Sequence, residues 1–186
     1  MKSISKTILV ATALLTGICL TAKEKIRIAP GASCYAWNVN TKSKPNTVPN
    51  GGFVDEGNSF NSKNIHQCEE LKSIGGQAFI MWEGYLQVPK TQNYRFTLTI
   101  PNGWDSSHAN IKIFLNNQLL ITRNVKEANT LSASASMKRG FVKLRIYHNP
   151  TFGIHAEFIL KFAGANAMKM TNITPAALYH QVEDEN

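Results

Sequence analysis

The sequence predicts an all-β protein: an antiparallel β-sandwich preceded by a short N-terminal helix and an irregular, disulfide-stapled arm. Three observations carry that expectation. Beyond Gly76, apolar and polar residues alternate with a period of two over most of the chain, which buries one face of each strand and wets the other. Turn-forming residues interrupt the alternation at short intervals, as in a sandwich or barrel. Ahead of Gly76, segments rich in Pro, Gly, Asn and Ser show little periodicity, and Cys34 and Cys68 lie among them.

In chain order, Lys2 and Lys6 precede an apolar run over residues 8–20, and the small Ala22 follows. That layout predicts an export signal over residues 1–22, too short to span a bilayer comfortably. Ile18 stands where a lipid-anchored form would need a small residue before Cys19, so a lipoprotein is not expected. No later segment is apolar enough to cross a membrane, which places the protein in the periplasm, in the medium or at the cell surface. The 186-residue length suits a single core.

Residues 23–50 are expected to form the irregular arm, pinned onto a sheet by the aromatic residues Tyr35 and Trp37, with Phe53 and Phe60 just beyond. "NIHQCEELKSIGG", residues 64–76, reads as a short helix capped by Asn64 and stopped by glycine. Cys19 leaves with the signal. The two remaining cysteines, Cys34 and Cys68, are expected to pair in an oxidising compartment. Such a bridge closes a loop of about 35 residues and contributes about 3–4 kcal/mol in the chain-entropy model.

The strands follow. Tyr94, Phe96, Leu98 and Ile100 alternate with Arg95, Thr97 and Thr99. Ala109, Ile111, Ile113 and Leu115 repeat the pattern, and Asn116 and Asn117 then tolerate a tight turn before "QLLIT". Leu131, Ala133, Ala135 and Met137 form the next apolar set, then Val142, Leu144 and Ile146, then Ile154, Ala156, Phe158, Leu160 and Phe162. In "MTNITPAALYHQ", Pro175 starts a turn that docks Leu178 and Tyr179, and the acidic tail 181–186 closes the chain.

The formal net charge is +8. Lys and Arg are scattered singly, without a basic stripe or a nucleic-acid motif, so nucleic acid is not an expected partner. Acidic glycans or an anionic cell surface suit the charge better.

"FIMWEGYLQVPKTQNYRFTLT", "IKIFLNNQLLI", "SMKRGFVKLRIYHN" and "ITPAALY" together resemble the anthrax protective-antigen fourteen-kilodalton (PA-fourteen) domain family, over roughly residues 51–180. The likeness lies in the order and spacing of these pieces: W-x-G-Y, a proline-bearing corner, Y-x-F-x-L, an apolar strand ending at a small turn, and a closing proline-leucine segment. Physically, Gly84 permits a close approach, Pro89 ends a strand where its missing donor does least harm, and Trp82 belongs to the core.

The resemblance implies a lectin-like module that binds carbohydrate. In some members calcium is held by two adjacent aspartates and an asparagine from a later loop. Here the matching loop, "IPNGWDSSHAN", supplies only Asp105, with Trp104 where the first aspartate would stand; Asn149 falls where the asparagine is expected. Asp105 and Asn149 are therefore the expected metal ligands. They are few for an ion that takes about six to eight oxygens.

The same loops suggest the glycan contacts. Trp104 either offers a flat face to a sugar ring or folds back as a lid on the core. Asp105, Asn102, Asn110, His148 and Asn149 stand ready to bond hydroxyls. No metalloprotease spacing, nucleophile elbow, paired glycosidase carboxylates or phosphate loop is present, and no enzyme activity is expected. "NIT" at Asn172 matches a glycosylation acceptor. The leading expectation is an exported carbohydrate-binding module in adhesion or cell-surface recognition. The competing one is a structural or assembly subunit that grips another exported protein through its aromatic-rich arm.

Overall fold

The computed structural model describes residues 27–38, 51–61, 78–101, 109–125, 127–150 and 157–182. The expected export signal, the helix at 64–76 with Cys68, and the acidic end from residue 183 lie outside the described residues.

Alternation builds two antiparallel sheets. The larger contains β1 (Arg27–Pro30), β2 (Ala32–Asn38), β3 (Gly51–Asp55), β5 (Ala78–Val88), β7 (Ala109–Leu115), β8 (Gln118–Arg123), β10 (Gly140–Pro150) and β13 (Tyr179–Val182). The smaller is formed by β4 (Phe60–Asn61), β6 (Gln92–Thr99), β9 (Thr130–Met137), β11 (Glu157–Gly164) and β12 (Thr171–Ile173). Ile80, Trp82, Leu86 and Val88 of β5 and Leu144 and Ile146 of β10 point inward from the first sheet. They meet Phe96 and Leu98 of β6 and Phe158 and Leu160 of β11 from the second, all nearly or wholly removed from water. Burying a side chain of this size contributes about 1.5–3 kcal/mol.

β5 organises the larger sheet. β10 runs along one edge over nine paired residues, while β2 and then β13 share the other. Residues 27–38 therefore correct the expectation of an irregular arm. Ala32, Cys34 and Ala36 are fully buried and alternate with Ser33, Tyr35 and Trp37, so small inward residues let β2 lie against β5. Cys34 sits opposite Trp82 in that pairing; Cys68, its expected partner, is outside the described residues.

Aromatic packing joins the layers. Trp82 meets Phe60 and Phe158 edge-on, at 5.6 and 5.8 Å between ring centroids, and those two rings stack on each other at 5.1 Å. The Trp82 indole N–H donates to the buried Asp55 Oδ2 at 2.8 Å, while Asp55 Oδ1 accepts from the Gly57 N–H at 2.8 Å. One carboxylate thus satisfies the core tryptophan and shapes the turn that delivers Phe60.

Two turns follow their residue chemistry. Asn116 and Asn117 hold φ of 47° and 66°, the left-handed pair of a two-residue hairpin between β7 and β8. Pro175–Ala177 form a single 3-10 turn whose Thr174 cap accepts from the Ala177 N–H. That turn seats Leu178 so closely that a Cβ on Gly84 would stand 3.0 Å from the Leu178 Cβ and 3.1 Å from the Tyr179 carbonyl oxygen.

Asp55→Ala is expected to destabilise the protein by about 1–3 kcal/mol, the cost of a buried N–H left without an acceptor. Urea unfolding of Asp55→Ala, Trp82→Phe and the double variant checks the coupling: the double variant should lose less than the two single losses added together.

Candidate functional site

The outward phase of the larger sheet carries a row of aromatic side chains where solvation would favour polar ones. Trp37 from β2 meets Phe79 from β5 edge-on at 5.5 Å. Phe79 lies 5.6 Å from Tyr147 on β10, and Tyr147 lies 5.5 Å from Phe114 on β7 at an interplanar angle of 84°. These strands are neighbours in the sheet, so alternation alone brings the four rings to one face.

A cleft of about 540 Å³ opens over this row, with Phe79, Phe114 and Tyr147 in its walls. Its size falls in the range of small-ligand sites, about 300–1,000 Å³. Lys112, Asn110, Asn124 and Asn149 supply its polar groups. Asn149 and Asn110 are direct partners across β10 and β7, and Tyr147 and Lys112 are the next outward pair.

The turn after β8 is shaped by buried interactions. Arg123 is 1% exposed and donates at 3.4 Å to the carbonyls of Glu127 and Ala128 and to the side chain of Asn129. Burial pulls its pKa below the ordinary value, against the opposing pull of the Glu127 charge. Glu127 in turn accepts from the Asn124 backbone N–H at 2.8 Å and from Asn124 Nδ2 at 2.9 Å. Asn110 Oδ1 accepts from the Val125 N–H at 2.9 Å. Both amides are thereby held in fixed orientations over the cleft.

Further along the same face, Glu83 is clamped between Lys143 Nζ at 2.8 Å and the Arg145 guanidinium, whose Nε donates at 2.6 Å. Burial pushes the Glu83 pKa up, but hydrogen bonds from Lys143 and Arg145, with their charges, outweigh it and hold the carboxyl below its ordinary value. A smaller polar hollow, about 230 Å³, lies beside this clamp between Tyr35, Lys143 and His180.

Of the residues expected to bind ligand, Asn110 and Asn149 come together in the cleft. Asn102, Trp104 and Asp105 lie outside the described residues, in the connection that leads directly into β7 and Asn110. His148 corrects the expectation. It is 0% exposed, in ring contact with Trp82 and Phe158 at 6.2 and 6.1 Å, and so faces the core. The alternation Val142, Leu144, Ile146 continues through it, which was visible in the sequence. Neither His148 ring nitrogen has a hydrogen-bond partner, and burial lowers its pKa from 6.5 to about 3.

Sequence reasoning missed Phe79, Lys112, Phe114, Asn124 and Tyr147. The signal was an aromatic in the wet phase: Phe114 lies between Ile113 and Leu115, and Tyr147 follows Ile146. For calcium, the described residues offer neutral amides, and Asn110 Oδ1 is committed to Val125. Among the described residues no group of three or more His, Cys, Asp or Glu is placed to hold a metal ion. A hard divalent ion needs carboxylate charge that these residues do not supply alone.

Comparison with known proteins places the fold. No family model matches the chain, and no curated protein matches it in sequence. Solved structures do match in shape. The PA14 domain of the MpAFP antifreeze protein superposes with a TM-score of 0.57 at 16% identity, over 82% of this chain and 92% of that one. The epithelial adhesin 9 A domain from Candida glabrata, solved in complex with Galb1-4GlcNAc, gives 0.56 at 12% identity over 83% and 90%. An anti-sigma factor domain-containing protein from Clostridium clariflavum gives 0.52 at 20% identity over 80% of this chain, which spans only 47% of that protein's length. The chain has a PA14-like fold.

His148 makes stability depend on pH. In the folded protein its imidazole stays neutral to about pH 3, whereas an unfolded histidine protonates near 6.5. Between those values the unfolded state binds the extra proton. The contribution of His148 is therefore complete above about pH 6.5 and is lost as pH falls toward 3. Denaturant titrations across this window should show a flatter stability profile for His148→Leu than for the natural chain.

Proposed function

We propose that this chain is an exported carbohydrate-binding module that acts in adhesion or cell-surface recognition. The observation that carries the reading is the cleft on the outer face of the larger sheet, where Phe79, Phe114 and Tyr147 wall a space rimmed by the amides of Asn110, Asn124 and Asn149. A sugar ring has an apolar face suited to aromatic carbons and a rim of hydroxyls suited to amides, which both donate and accept. The fold supports the same reading, since it is shared with an adhesin domain solved with a bound disaccharide.

In this proposal Asn102, Trp104 and Asp105, which precede β7 in the sequence, add contacts to the ligand. Calcium, held by Asp105 and Asn149, would bring sugar hydroxyls to a fixed point. Export through residues 1–22 and a Cys34–Cys68 bridge belong to the same proposal and suit a cell-surface protein.

A glycan panel screened with the purified protein, with and without a chelator, tests it. Saturable binding is expected, and Tyr147→Ala and Asn149→Ala should each weaken it about tenfold or more without moving the melting temperature by more than a few degrees. Loss of binding with chelator would assign calcium to the site. Binding to no glycan, or binding indifferent to both substitutions, would remove the carbohydrate reading.

A further inference from the structure

Among the described residues, the cleft lining holds one cation, Lys112, and no carboxylate. Asn110 has one lone pair of its oxygen engaged by the Val125 N–H, which orients the side chain, and its Nδ2 carries two N–H donors. Lys112, exposed on β7 and in the cleft lining, brings an ammonium with three more donors. No carboxylate pairs with that ammonium among the described residues. Glu127, the acid that touches the lining, is spent on the backbone and side chain of Asn124.

The sheet face around the cleft has the same sign. The outward residues of β2, β5, β7 and β10 include three cations, Lys112, Lys143 and Arg145, against the single carboxylate of Glu83. Glu83 is held between Lys143 and Arg145, so it leaves Lys112 uncompensated. The formal charge of +8, which is +6 once Lys2 and Lys6 leave with the export signal, favours anions near the protein.

We infer that the ligand of this cleft is an acidic saccharide, a uronate whose ring lies against Phe114 and Tyr147 and whose carboxylate accepts from Lys112 and Asn110. This rests on the carbohydrate reading of the cleft and narrows it. A neutral sugar presents hydroxyls that the amides can pair, but it brings no charge to meet the Lys112 ammonium. A uronate presents two strong acceptor oxygens to the groups that are available, and charge-assisted hydrogen bonds are about twice as strong as neutral ones. The row from Trp37 to Phe114 crosses four strands, which gives room for more than one sugar of a chain.

Titration calorimetry of the purified full chain tests this with polygalacturonate, alginate and hyaluronate, each beside its carboxyl-reduced neutral counterpart. At least one uronate should bind about tenfold or more tightly than its reduced form. Lys112→Gln should remove most of that difference, whereas Lys161→Gln, which deletes the same charge from the other sheet, should leave it within about twofold. Equal affinity for a uronate and its reduced form would overturn the inference and leave the carbohydrate reading standing. So would binding of neutral glycans alone. Equal losses in Lys112→Gln and Lys161→Gln, or equally tight binding of dextran sulfate, would overturn it in favour of bulk polyanion attraction. Binding to no glycan of either kind would overturn both.

Discussion

A single hydrogen bond, from the Trp82 indole to the Asp55 carboxylate, ties together most of what makes this sandwich closed. Among the described residues Trp82 is the largest fully buried side chain, and it reaches from the larger sheet into the aromatic stack of Phe60 and Phe158 on the smaller one. Its ring brings apolar area that favours burial and one N–H that opposes it. Asp55 resolves that conflict inside the core, and its second oxygen holds the turn that brings Phe60 to the stack. Packing and polar satisfaction are therefore not separate contributions at this point: removing the carboxylate would leave the indole unsatisfied and loosen the turn.

The closed interior frees the outer face of the larger sheet for other chemistry. A strand exposes every second residue, so four adjacent strands can align outward side chains from distant parts of the sequence. Trp37 and Phe114 are far apart along the chain yet belong to one aromatic row. Rings on such a platform lose little entropy on contact with a ligand, because neighbouring rings already restrict them. The Glu83 clamp does similar work for charge, fixing Lys143 and Arg145 while Lys112 stays available.

His148 shows how finely the two faces divide. It stands between Tyr147 and Asn149, both in the cleft lining, yet it lies wholly in the core against Trp82. One residue step along a strand separates a ligand-facing side chain from a buried one. The imidazole is kept neutral there by burial, so β10 contributes packing on one side and recognition on the other.

The alternation after Gly76 was enough to determine the all-β class, the inward residues of β6, β7, β10 and β11, and the Asn116–Asn117 hairpin, because these depend on local period and local backbone preference. It also held the position of His148, had the phase of β10 been carried two residues further. β2 was harder to see, since Ala32, Cys34 and Ala36 make a weak apolar signal and become a core face only beside β5. Asn110 and Asn149 were legible as polar residues near loops; that they are direct partners in one cleft was not. Strand pairing and register decided that, together with the meeting of Phe79, Lys112, Phe114 and Tyr147. Pairing between strands distant in sequence depends on how the whole sheet assembles, and no local pattern encodes which outward residues will become neighbours.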